Sequence, residues 1–308
     1  MMLREVVLAL TLVAPPSVAL HVQVGAGAGV PAVDRGAVWV PNTGDGTVSR
    51  VSPGGEVVAT VALGAGAGAG GFLDSAVVAG GSVWVARDAA GEIDRIDLAA
   101  NQVAKRIKVT ARPGGLTSGG GYVWAFHFLG PQVTRLDQAT GGKKVFTVPG
   151  FAGSGIVYAG NAVWLLSTRP PALVKLDPKT GRVLGRVPIP LGATLKHGII
   201  DAWWVAAGSG SLWVAQANYD RVVRVTGKTA RAIPVPVAAP FGVAFYRGAA
   251  WVAGSGKVAR IDPATNRAAR PLTLAPGSSP VFTQVAAGPS GLWATDYDKG
   301  VLYRLTVP

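Results

Sequence analysis

The chain contains no cysteine and only three histidines among its 308 residues. The first absence excludes a disulfide scaffold, thiolate metal sites and thiol catalysis. The second argues against a multi-histidine metal centre. Charge is scarce too: Asp, Glu, Lys and Arg make up 15% of the chain, against about 25% in ordinary soluble domains. No run is suited to crossing a bilayer. The longest uncharged apolar stretch, 6–20, is broken by Pro15 and Pro16 and falls short of the ~20 residues a span requires. Helical periodicity is missing throughout.

Other components are plentiful. Hydrophobic residues reach 49%, enough for a large core, which excludes intrinsic disorder. The 43 glycines follow no three-residue period, so they exclude collagen and argue against long helices. A formal net charge of +13 implies an anionic partner without naming one. At the N-terminus, Arg4 precedes an apolar run that ends in the small residues Ser17 and Ala19. That is the pattern of an export signal. Residues 1–19 are therefore expected to be a signal peptide, 20–308 a single domain, and the protein secreted or periplasmic.

The strongest signal is a repeat. Seven phrases of the type G-x-V-W-V-A centre on Trp39, Trp84, Trp124, Trp164, Trp213, Trp251 and Trp293, with spacings of 45, 40, 40, 49, 38 and 42. A second phrase, V-x-R-I-D in its fullest form, places a basic residue eleven after the Trp: Arg50, Arg95, Arg135, Lys175, Arg224 and Arg304. In the sixth copy Arg260 follows after nine. A period near 42 residues belongs to propellers. Each unit reads as four short strands, with alternating apolar residues between Gly, Pro, Asn and Asp turns. The fold class is all-β, a seven-bladed β-propeller of four-stranded blades. The seventh unit ends without a fourth strand, and 20–25 parallels the stretch before the second Trp unit. It is therefore expected to pair with 301–307 and close the ring. The tryptophans and their basic partners read as scaffold, with Asp97, Asp137, Asp177 and Asp262 as acids paired to the preceding basic residue.

Function is sought where the repeats differ. Three residues after each Trp stand Asn42, Arg87, His127, Ser167, Gln216, Gly254 and Asp296. This mostly polar, non-repeating ring opens the hairpin between second and third strands and is the candidate ligand mouth. The same face is expected to carry Phe128, Tyr219 and Tyr297, with Phe72, Phe151, Phe241 and Phe282 from the blade connections. Arg112, Arg169, Lys196 and Arg221 add positive charge, and the long connection 190–203 adds His197 and Trp203. Aromatic faces beside cations suit a small anionic, sugar-like or aromatic ligand. A protein or polyanionic cell-surface partner fits the charge as well. Asn42 and Asp296 are two oxygen donors for a cation, too few for a site.

The repeat phrases resemble the YVTN-type propeller repeat of secreted and periplasmic bacterial proteins. They also resemble the propeller of streptogramin B (virginiamycin B) lyases, over essentially 20–308. The segment 288–305, GPSGLWATDYDKGVLYRL, is similar to that family's G-P-D-G-x-L-W-F-T-E stretch, with Asp296 where the family has Glu. The family's His-Gly-Ile motif is matched only by KHGII at 196–200. The resemblance implies a lactone-opening elimination by a His base, an acidic residue and Mg²⁺. On that reading His127 and Asp296 are the catalytic candidates.

Three functions follow. The leading one is a non-catalytic, monomeric propeller that binds a ligand or partner at the mouth through Asn42, Arg87, His127, Ser167, Gln216, Asp296 and Tyr297, with no cofactor and no membrane span. The second is a Mg²⁺-assisted C–O lyase acting on a lactone or cyclic depsipeptide. The third is a polyanion- or DNA-binding propeller.

Overall fold

The computed structural model describes residues 14–64, 74–109, 112–198, 204–274 and 283–307. They form seven antiparallel sheets, one per repeat, and their only helix is the single 3-10 turn Ala217–Tyr219. In blade three the strands are Pro113–Gly119, Tyr122–His127, Gln132–Asp137 and Lys143–Thr147, paired in chain order. The first strands of all seven blades stand side by side, each against the next and the seventh against the first. The architecture is the seven-bladed propeller. In blade six the fourth strand falls into two pieces, Arg267–Ala268 and Leu272–Thr273. Between them lies Pro271, which lacks the N–H a continuous ladder would use.

The ring closes through the chain ends. Ser17–Gln23 pairs antiparallel with Val301–Thr306 of blade seven, from Ser17 opposite Thr306 to Gln23 opposite Val301. The strand starts three residues earlier than the sequence suggests, so Ser17 to Ala19, assigned there to the leader, lie in the sheet. Its alternation explains the register: Val18, Leu20 and Val22 turn toward the core, and His21 and Gln23 toward solvent. The register shift between Val18 and Leu20 puts these two on opposite faces, Val18 against the core shared with blade six and Leu20 and Val22 against the core shared with blade one.

The Trp–basic spacing is a hairpin register. Trp39 lies opposite Arg50, Trp84 opposite Arg95, and so on through Trp293 opposite Arg304. In blade six Trp251 still faces Arg260, because Ser255 and Gly256 alone turn that hairpin. The guanidinium sits over the indole ring, 4.9 Å from its centroid in blade five and 5.7 Å in blade seven. Six of the seven indoles are no more than 1% exposed. In four blades the indole N–H donates to the carbonyl five residues back, at Ala79, Gly119, Gly208 and Tyr246.

Five of these arginines then reach the turn between third and fourth strands of the next blade. Arg50 donates to Leu98 O and Asn101 Oδ1, Arg95 to Ala139 O, and Arg135 to Pro178 O. Arg224 donates to Pro263 O and Asn266 Oδ1, and Arg304 closes the circle on Pro53 O. The aspartates do not pair with these arginines, contrary to the sequence reading. Asp97, Asp137 and Asp177 each accept the backbone N–H groups two and three residues on, and those bonds hold their carboxyls below the ordinary range. They shape the turn that presents the carbonyls.

The inner ring leaves no room at two glycines. A Cβ on Gly119 would collide with the Tyr158 ring of blade four, and one on Gly208 with the Phe245 ring of blade six. Gly119→Ala is therefore expected to destabilise by about 1–3 kcal/mol, read as a lower melting temperature. An unchanged melting temperature would show that the first strands can move apart freely.

Candidate functional site

The hairpins joining second to third strands and the connections between blades share one face, the mouth face. The polar ring expected there lies just beneath the surface: Asn42, Arg87, His127, Ser167, Gln216 and Asp296 are each no more than 2% exposed. Each makes a hydrogen bond within its own blade or to the adjoining connection. Asn42 Nδ2 donates to Thr47 and Ser49 hydroxyls, and Arg87 pairs with Glu92 at 3.1 Å and Asp94 at 3.2 Å. His127 Nε2 shares a 2.8 Å bond with Thr134 Oγ1, and Ser167 Oγ accepts from Ala152 N. Gln216 accepts from Arg221 Nε and donates to Pro190 O, while Asp296 accepts from Lys299 N. Tyr297 is half-buried. Burial, then the nearby Asp74 and Asp298 carboxylates, push its hydroxyl pKa up.

Phe151 and Phe241 are buried in the core and do not reach the mouth surface, contrary to the sequence reading. Phe72, Phe282 and Trp203 lie outside the described residues. Phe128 and Tyr219 are half-exposed, with Arg112 5.4 Å above the first ring and Arg221 4.8 Å above the second. Arg169 is exposed in the blade-four hairpin.

Two clusters on this face were not read from the sequence as units. The first crosses three blades. Thr43 Oγ1 accepts Asp74 N, Asp74 Oδ1 accepts Asp88 N, and Asp88 takes a two-pronged bond from Arg112 at 2.8 and 2.6 Å. Asp88 is fully buried while Arg112 is half-exposed. Burial pushes the Asp74 carboxyl up to about 7; the Asp88 N–H bond and Arg87 oppose the shift, and the Asp88 and Asp94 carboxylates add to it. Beside this cluster a hollow of about 420 Å³ is lined by Leu63, Arg87, Glu92 and Arg106.

The second cluster lies across the mouth. Asp220, in the left-handed conformation after the 3-10 turn, accepts Lys196 Nζ at 2.9 Å, His197 Nε2 at 2.8 Å and Ala239 N at 2.9 Å. Burial opposes its ionisation, yet these bonds outweigh it and hold the carboxyl below its ordinary value. The KHGII match thus places a histidine against a carboxylate. His127 and Asp296, on blades three and seven, each bond inside their own blade. Among the described residues no three His, Asp or Glu side chains converge, and Asp296 Oδ1 accepts Lys299 N.

Asp74 carries a pH signature. Its folded-state pKa of about 7 lies above the ordinary aspartate value of 3.8, so the folded state binds more protons between those limits. Stability is expected to fall as pH rises from about 4 to 7 and to level off above that. Asp74→Asn keeps the acceptor for Asp88 N–H and removes the titration. The melting temperature of the variant should exceed that of the parent at pH 8 but not at pH 4; parallel curves would refute the assignment.

No protein-family model and no curated protein matches the chain. Solved structures do. A streptogramin B lyase structure superposes with a TM-score of 0.76 at 17% identity, covering 92% of this chain and 94% of the other. Virginiamycin B lyase from Staphylococcus aureus gives 0.80 at 18% identity over 96% and 100%. Hydrazine synthase of Kuenenia stuttgartiensis gives 0.73 at 12% over 92% and 96%. Identities this low carry the fold and not the chemistry. The chain is a seven-bladed β-propeller of the shape that streptogramin B lyase also adopts.

Proposed function

We propose that the protein is an exported propeller that binds a small anionic or sugar-like ligand on its mouth face, without chemistry. The observation that carries this is the placement of unused polar capacity. Asn42 Oδ1, Ser75 Oγ, Arg87 Nε, Asp94 Oδ1 and both amide atoms of Gln284 are buried without a hydrogen-bond partner among the described residues. They sit in blades seven, one and two, at or beside the ends of the second strands. Folded proteins leave few such atoms unsatisfied, and these lie under the surface that carries Arg112, Phe128 and Tyr297. Export rests on the N-terminal stretch.

His197 favours a second reading. Its bond to Asp220 orients the ring, as a general base requires, and it lies in the segment that resembles the lyase motif. The polyanion reading has weaker support. The outermost strands carry Lys105, Arg106, Lys108, Lys143, Lys144, Arg186, Arg231 and Arg267 without a single Asp or Glu. Edge strands need such charges to resist pairing with other chains, which accounts for them without a ligand.

Glucuronate and galacturonate are expected to raise the melting temperature of the parent and not that of Tyr297→Ala or Arg112→Gln. A shift that survives both changes, or no shift in the parent, would overturn the binding site. Incubation with streptogramin B, followed by mass spectrometry with and without Mg²⁺, should show no ring opening. Turnover lost in His197→Ala would establish the lyase instead.

A further inference from the structure

A cleft of about 640 Å³ lies away from the mouth, between blades four and five on the opposite face. Three departures from the repeat create it. Blade five turns from third to fourth strand with Gly227 and Lys228 alone, since Thr226 pairs directly with Thr229. Blades two, three, four and six have longer turns there, opened by an aspartate. The residue that would reach such a turn is Lys175, the one lysine at the basic position of the repeat. Directly opposite Lys175 is Gly185, where the neighbouring blades have Lys105, Lys144 and Arg231.

All three changes remove atoms from one place. Trp164 is consequently half-exposed where the other six indoles are buried, and Leu184 beside it is 45% exposed. Lys175 Nζ lies 5.4 Å from the Trp164 ring centroid and makes no hydrogen bond or ion pair with the described residues. Lys228 projects from the shortened turn. No acidic side chain lines the cleft.

We propose that this cleft is a second binding site, for a small molecule with a flat apolar body and a carboxylate. The body covers Trp164, Leu184 and Leu212, replacing the missing turn. The carboxylate supplies Lys175 with the acceptor that turn carbonyls supply to the arginines of other blades, and Lys228 adds to the field. The volume lies within the range of small-molecule sites, and a charge-assisted bond to a carboxylate is stronger than one to a neutral amide.

The probes are 2-naphthylacetate and its neutral amide, titrated by naphthyl fluorescence against the full chain. Saturable binding of the acid is expected, roughly tenfold tighter than that of the amide. Lys175→Gln should erase the preference. A Cβ at Gly185 meets nothing within 4 Å, and its φ is not left-handed. Gly185→Phe can therefore fill the cleft without strain, and it should abolish binding while the melting temperature is kept or raised. The proposal is overturned by any of three results: no saturable binding to the parent, equal binding of acid and amide, or binding that persists in a folded Gly185→Phe. None of these bears on the mouth face, which Tyr297→Ala tests.

Discussion

The ring depends on one contact made again and again: an arginine that lies on the tryptophan of its own blade and donates to the turn of the next. The indole face and the neighbouring carbonyls use opposite ends of one side chain. The long apolar stem is buried and the charged head is spent on hydrogen bonds. Because five of the seven blades hold their successors this way, no blade has to be stable alone. Closure by Ser17–Gln23 then supplies the outer strand that blade seven's own chain segment lacks. The turn aspartates serve this contact indirectly, by bending the backbone that offers the carbonyls.

That division of labour separates the two faces. On the face of the turns, polar groups repeat from blade to blade, and the sheet-to-sheet contact consumes them. On the mouth face the equivalent position is different in every blade, and the partners differ with it: hydroxyls for Asn42, carboxylates for Arg87, a threonine for His127. Variation there costs the ring nothing, since its cohesion lies elsewhere. The clusters around Asp74–Asp88–Arg112 and Lys196–His197–Asp220 join adjacent blades by means found only once each. The cleft between blades four and five is the mirror case, a gap in the repeated contact on the face where repetition is otherwise the rule.

The scaffold was readable because its logic is periodic. A spacing of eleven between Trp39 and Arg50 becomes a cross-strand pair in any hairpin of that length, and six occurrences outweigh the noise of any single one. The mouth was readable only as a set of positions. That Arg87 is buried on Asp94, and that His127 faces Thr134, follows from side-chain direction within a twisted sheet. Phe151 and Phe241 show the same limit: sequence places them in connections, but only packing decides that those connections fold inward.

Asp88 and Arg112 are 24 residues apart and on different blades, and no local pattern announces their bond. His197 and Asp220 are likewise separated by 23 residues. Fold class, blade number, strand order and ring closure are therefore properties of the sequence alone, because repetition and period-two alternation are local and each copy confirms the others. The burial of the polar ring, the buried carboxyl of Asp74 and the opening beside Lys175 belong to the tertiary structure. They arise where blades meet, from pairs of residues that only closure of the ring brings together.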